Sequence, residues 1–208
     1  MRDTIDTATL AAHCNALRQD QGALRKRYRV DAPGEALVTD TATSVAKASD
    51  SPMWGSVQIG APDFEVTAPV GVHRAVGGRH DLPVPGDILC AALVACVDTT
   101  IRILSNNLGI PLASLAVDVQ ADCDVRGTLL VDPSVRVGFN VMRVSVKALP
   151  GPGVTTKQVE DLVQMAEKCC VVLHTLKNGV DVAFQLDAGE EADAAKTRLN
   201  MAKVITRS

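Results

Sequence analysis

The stretch DILCAALVACVDTTIRILSNNLGI, residues 87 to 110, constrains this chain more than any other. It carries no Pro, and no Gly before Gly109, and its first half is apolar on nearly every side of a helical wheel. A helix of that kind must be covered on most faces, in a core or in a dimer. Asp87 reads as its N-cap and Gly109 as its stop.

The segments around it read as strands in runs. ALVTDTATSVA, 36 to 46, alternates well enough for one, and 56 to 69 holds one or two more about a turn at Ala61-Pro62. VGVHRAVGGRHDLPVPG, with paired glycines and two prolines after its start, reads as a loop. Residues 112 to 126 and 135 to 148 alternate at period two and predict two long antiparallel strands. TTKQVEDLVQMAEKC opens a second helix capped by Thr155 or Thr156, and DVAFQLD, 181 to 187, predicts a last strand. Strands in runs rather than singly between helices give an α+β class with antiparallel sheets.

At 208 residues there is room for one domain with appendages. Residues 3 to 27 read as a helix, which makes 1 to 30 an N-terminal helical arm, and 188 to 208 a charged helical or frayed tail. A formal charge of −3 with scattered basic residues offers no polyanion surface, and five aromatic residues are too few for base stacking, so no nucleic acid is expected. No window is read as carrying the roughly 18 uncharged apolar residues of a membrane helix, and the first 15 residues lack a signal-peptide core. A soluble cytoplasmic protein without a membrane partner is expected.

Thiols in a reducing compartment are free groups, ligands or redox centres sooner than structural disulfides. Cys14, Cys90, Cys96, Cys123, Cys169 and Cys170 form no C-x-x-C pair, and only His13 and His174 lie near any of them. No metal and no cofactor are expected. A catalytic thiol needs a field that favours thiolate and access for substrate. Cys170 has the field if one helix ends near Lys168 and VVLHTLKN begins another, and lacks it if the helix runs through. Cys90 and Cys96 sit in the apolar helix, where a thiol ordinarily packs as a small hydrophobe.

DILCAALVACVDTTIRILSNNLGI resembles the signature helix of the OsmC/Ohr family (osmotically inducible protein C and organic hydroperoxide resistance proteins), in which a run ending A-A-L-x-x-C carries one redox cysteine. AEKCCVVLHTLKNGVDV resembles the second signature of that family, C-P-V-x-x-T-L ahead of the last strand. On that match Cys170 takes the family position, because Val171, Val172, Thr175 and Leu176 follow in step, and Cys169 is a bystander. The resemblance covers about residues 36 to 187, with the domain drawn from 31 to 187.

The resemblance implies antiparallel sheets wrapped around two central helices in an intertwined homodimer. It also implies thiol-dependent reduction of organic hydroperoxide or hydrogen peroxide, regenerated by a dithiol reductant of lipoyl or similar type. Cys96 would attack the peroxide and Cys170 would resolve the sulfenic acid as a disulfide.

Two family positions differ. The glutamate ten residues before the first cysteine is Gly86 here, with Asp87 next to it, and the arginine after the first strand falls at Ala46 and Lys47. Lysine replaces arginine's planar fork only as a point charge. Arg126, Arg79 and Arg74 are the alternative cations, and His174, four residues after Cys170, is a candidate to pair with it. Two further readings stand beside the peroxidase: a non-catalytic member holding an apolar small molecule at the dimer interface, and a thiol redox sensor.

Overall fold

The apolar helix starts where proline allows it. In the structure, a computed structural model that describes residues 6–45 and 51–186, α2 spans Pro85–Leu108. Val84 is the N-cap and Pro85 occupies the first helical position, where its fixed φ and missing N–H cost nothing. Asp87 is therefore not the N-cap as expected. It stands at the third helical position, and its Oδ2 accepts the Val84 N–H at 2.9 Å, satisfying an amide the helix leaves open. The helix ends at Gly109 with φ +65, a left-handed conformation that glycine adopts without a Cβ penalty.

α2 is long and apolar enough to cross a membrane by length and composition alone: it has 24 residues, with an 18-residue window at mean hydropathy 1.9 of which 17 % is buried within the chain. Asp87, Asp98 and Arg102 interrupt it, so it holds no run of about 18 uncharged residues, as expected. Asp98 and Arg102 pair on its surface at 2.7 Å, and Leu93, Val97 and Ile101 are its buried arc.

Two elements cover that arc. The long hairpin of β4, Leu112–Cys123, and β5, Phe139–Pro150, lies along one side. Its register pairs Val117 with Val146 and Val119 with Val144, all packed on the core, while Asp118 pairs with Ser145 and Gln120 with Arg143 on the other face. This is period-two alternation expressed as one wet and one dry face. One helical turn, α3 (Val125–Thr128), opens the connection between the strands. Gly127 sits where a Cβ would come within 2.7 Å of the Arg136 carbonyl, so the loop closes on itself only with glycine there.

The other cover is α4, Thr156–Cys169, followed by α5, Val171–Asn178. Thr155 caps α4, its Oγ1 accepting the Gln158 N–H at 3.2 Å while Gln158 Oε1 accepts the Thr155 N–H at 2.9 Å. Val159, Leu162 and Ala166 are the buried face of α4. Leu93, Val97, Ile101, Leu162, Ala166 and Cys170 form one cluster.

The remaining strands form a separate antiparallel sheet in the order β1-β2-β3: Ala42–Ser44, Trp54–Ile59 and Thr67–Gly71. The strand expected over 36 to 46 shrinks to three residues, because Pro33–Ala36 turns in a 3-10 helix and the register with β2 spans Ala42, Thr43 and Ser44; Ala46 lies outside the described residues. The last strand, expected over 181 to 187, is unpaired over 181 to 186, and Asp187 lies outside the described residues. Val180, Val182, Phe184 and Leu186 are all largely exposed. Alternation states which face of a strand is apolar but does not supply an edge to pair with.

At the N-terminus α1, Thr7–Lys26, is capped by Asp6 and lies against the end of α2. Arg18 donates to the Asn106 carbonyl and Oδ1, and Asn106 Nδ2 to the Cys14 carbonyl at 3.0 Å. The tail expected over 188 to 208 lies outside the described residues.

Leu93→Ala and Leu162→Ala should each lower stability by about 2–5 kcal/mol, since both side chains are fully buried. Leu37→Ala, at a side chain that is 87 % exposed, should change it by less than about 0.5 kcal/mol. Urea unfolding followed by circular dichroism distinguishes the two outcomes.

Candidate functional site

The site is set by a break in the helical hairpin. α4 runs to Cys169, the backbone leaves helical geometry at Cys170 (φ −75, ψ 110), and α5 begins at Val171. The Cys170 N–H donates to the Ala166 carbonyl and its carbonyl accepts the His174 N–H, both at 2.9 Å, so one residue closes the first helix and opens the second. Of the two sequence alternatives the broken helix is the one that forms, and Cys170 is the N-cap of α5.

The break also separates the adjacent thiols. Cys169 is exposed, whereas Cys170 is 1 % exposed and belongs to the core cluster. Cys96 is half-buried on α2 and packs against that cluster. Cys96 thus packs against the cluster that contains Cys170, and both the Cys96 thiol and the Thr100 hydroxyl bear on the proton affinity of the Cys170 thiol. Two cysteines 74 positions apart thus share one site, while Cys169, one peptide away, does not.

Burial raises the Cys170 thiol above the ordinary cysteine value, and the neighbouring Cys96 thiol adds to the rise. Against this work the Leu173 N–H and the Thr100 hydroxyl, both of which favour the thiolate. Leu173 is the third residue of α5 and its amide faces the sulfur without completing a capping hydrogen bond. Cys90 is also raised, first by burial and then by the Asp87 carboxylate.

The expected supporting groups are engaged elsewhere. Arg126 Nη2 pairs with Asp124 at 2.6 Å and Nη1 with Asp132 at 3.6 Å, in the turn beyond β4. Arg79 stacks over the Trp54 ring at 5.7 Å. Arg74 opens a short 3-10 turn in the loop ahead of α2. His174 is exposed, its Nδ1 facing Asn178 Nδ2 at 3.1 Å. Asp87 faces His80 at 3.7 Å, and nine residues of helix separate it from Cys96, about 13 Å along the axis. Lys47 lies outside the described residues.

Gly86 has a packing reason. A Cβ there would come within 3.1 Å of the Phe139 ring, so a glutamate at this position would press on the start of β5. Among the described residues no group of three or more metal-ligating side chains converges. Thr100 is the site residue that sequence reasoning missed. Its signal was present, since Thr100 lies four residues after Cys96 on the same helix and therefore one turn above it.

A family model described as OsmC-like protein matches residues 78–185, more than half of the chain. The organic hydroperoxide resistance protein OsmC of Legionella pneumophila superimposes with a TM-score of 0.52 at 19% identity, over 69% of this chain and 92% of that one. An OsmC-like protein of Mycoplasma pneumoniae gives 0.53 at 12% identity, over 68% and 89%. An organic hydroperoxide resistance protein of Elizabethkingia anophelis, crystallised with thiocyanate bound, gives 0.51 at 20% identity, over 70% and 92%. No curated protein matches. At these identities the structural likeness is one of fold, and it agrees with the segment that the family model spans. By that match and that fold, the chain belongs to the OsmC-like protein family.

Proposed function

We propose that this protein is a two-thiol peroxide reductase, acting on an organic hydroperoxide or hydrogen peroxide. The observation that carries the reading is that half-buried Cys96 packs against the core cluster to which fully buried Cys170 belongs. In the proposed cycle the Cys96 thiolate attacks the terminal peroxide oxygen. The O–O bond breaks, Cys96 becomes a sulfenic acid, and the alkoxide leaves as alcohol after taking a proton. The Cys170 thiolate then attacks the Cys96 sulfur, an S–S bond forms, and hydroxide leaves as water. A dithiol reductant returns the disulfide to two thiols.

The division of roles rests on access. Cys96 is the more exposed of the two, as the group that meets substrate must be, and Cys170 is held beside it under cover. We further propose a soluble cytoplasmic homodimer in which residues 31–187 carry the chemistry and 1–30 form an arm. Exposed Ala91, Ala92 and Ala95 on α2, beside so little buried apolar window, support a second copy as the cover.

One observation favours a second reading, a non-catalytic member that holds an apolar small molecule. Arg126 and Arg79, candidates to steady a peroxide, are bonded to Asp124 and to Trp54 instead. Native mass spectrometry of freshly purified protein should then show a retained ligand, whereas ligand-free protein with rapid peroxide turnover excludes this reading.

On the peroxidase reading, Cys96→Ser should abolish peroxide consumption in stopped-flow assays with a dithiol reductant, and full activity in that variant would refute it. Cys170→Ser should react once and stop, leaving a sulfenic acid that dimedone traps. The raised Cys170 thiol also has a stability consequence. Its proton is held more tightly in the folded chain than in the unfolded one, so its contribution is present below about pH 8.5 and is lost as pH rises through the folded value. The stability gap between wild type and Cys170→Ser, read as urea midpoints, should narrow between about pH 7 and about pH 10. A gap that does not change with pH would show that burial leaves the thiol unshifted.

A further inference from the structure

Nothing in the local sequence forces the helix to break at Cys170. From Ala166 to Asn178 the chain holds no Pro and no Gly, so helical dihedrals at Cys170 would join α4 and α5 into one rod. The break is therefore held by what α5 touches. On the inner side Val172 and Leu173 pack against the core cluster. On the outer side Lys177 Nζ donates to Glu167 Oε1 at 2.6 Å, and both side chains are exposed. Among the described residues this is the one side-chain hydrogen bond that joins the two helices. Its partners are ten residues apart, about 15 Å along the axis of a continuous helix, a gap that the two side chains cannot span. The pair thus exists only while the helix is broken. Lys177 holds the Glu167 carboxyl below its ordinary value, so the pair is charged at neutral pH.

We propose that Glu167 and Lys177 are positioning residues for Cys170: their ion pair ties α5 to the last turn of α4 and so fixes the joint at which Cys170 enters the core. The chemical consequence rests on the two-thiol reading above. Cys170 is the single residue between the helices, so its φ and ψ and the direction of α5 are set together. Lys177 stands six residues beyond Val171, where α5 starts, about 9 Å along its axis. A tether that far from the joint holds its angle with good leverage. In the step concerned, Cys170 loses its proton, its sulfur attacks the sulfur of the Cys96 sulfenic acid, an S–S bond forms, the S–O bond breaks, and the departing hydroxide takes a proton to become water. The ion pair changes no bond in this step. It keeps the attacking sulfur in the cluster against which Cys96 packs, and it leaves the earlier attack on peroxide, made from α2, untouched. Salt screens exposed charges, so ionic strength tunes the second step and not the first.

The test uses the intact chain and reads the two steps separately in single-turnover stopped flow. Glu167→Gln and Lys177→Gln each remove one charge, and the double exchange Glu167→Lys with Lys177→Glu restores the pair with its signs reversed. At low salt each single variant should form the Cys96–Cys170 disulfide about 1.5- to fivefold more slowly than wild type, the worth of an exposed ion pair, while its peroxide consumption keeps the wild-type rate. Wild type should slow toward the single variants as salt rises to about 1 M, the single variants should show no such dependence, and the double exchange should recover both the rate and the salt dependence. A second measurement needs no peroxide: alkylation of Cys170 by iodoacetamide, resolved from Cys169 by peptide mass spectrometry, should be faster in the single variants and return toward wild type in the double exchange. Single variants with wild-type disulfide and alkylation rates at low salt overturn the role, as does a double exchange that keeps the defect of the single variants. If the two-thiol reading itself fails, wild type forms no Cys96–Cys170 disulfide under peroxide, and the alkylation rates still decide whether the pair holds the joint.

Discussion

The packing of one helical arc against one helical break organises the molecule. Leu93, Val97 and Ile101 of α2 meet Leu162 and Ala166 of α4, and Cys170 fills the corner where α4 turns into α5. Each fully buried aliphatic side chain contributes roughly 1.5–3 kcal/mol, so this small cluster holds much of the favourable energy of the helical layer. The β4–β5 hairpin lies along the same arc and has its dry face determined by it. Because Cys96 packs beside the arc and Cys170 sits at the break, the distance between the two thiols is a property of the core. A change that loosens the core separates them, so on the proposed cycle stability and redox chemistry are coupled in one set of contacts.

The parts legible in the sequence were those decided by short-range patterns. Apolar residues on nearly all sides, with Gly109 as a stop, announced α2, and period-two alternation announced β4 and β5. Thr155 or Thr156 as a cap announced the start of α4, and Thr155 is the one that serves. What misled was local chemistry open to two solutions. A carboxylate at Asp87 can cap its own helix or reach back from the third position, and Pro85 decided for the second by starting the helix earlier. The final strand shows the other limit. Valine, phenylalanine and leucine at alternate positions give residues 180 to 186 a strand face, and the chain offers no edge that takes it up within the described residues.

The candidate site divides in the same way. Resemblance picked Cys96 and Cys170, and the helix break at Cys170 was one of two states that the sequence left open. Their meeting at one core cluster is tertiary and could be reached only through the fold. The arginines illustrate the converse. Arg126 and Arg79 were attractive as charges, but a charge in sequence has no address until its partners are known, and Asp124 and Trp54 are closer claimants than the thiols. Gly86 carries the clearest physical reason for a departure from the family pattern, since Phe139 occupies the space that a side chain would need.

A buried second thiol with a raised proton affinity looks ill suited to attack, and the balance can be estimated. Each unit of rise lowers the thiolate fraction about tenfold near neutral pH. The more basic thiolate is the better nucleophile, but with a Brønsted slope near 0.4–0.5 the gain is only about threefold. Burial alone would therefore slow disulfide formation by about threefold per unit. Proximity offsets more than that: a thiol held at the same core cluster as its target sulfur reacts as though at very high local concentration, worth several powers of ten. On the proposed cycle the site gives up a little thiolate to gain a fixed neighbour. The Leu173 amide and the Thr100 hydroxyl return part of what burial removes. On that cycle the cover that raises Cys170 also keeps bulk peroxide from it, which leaves Cys96 as the thiol that substrate would meet first.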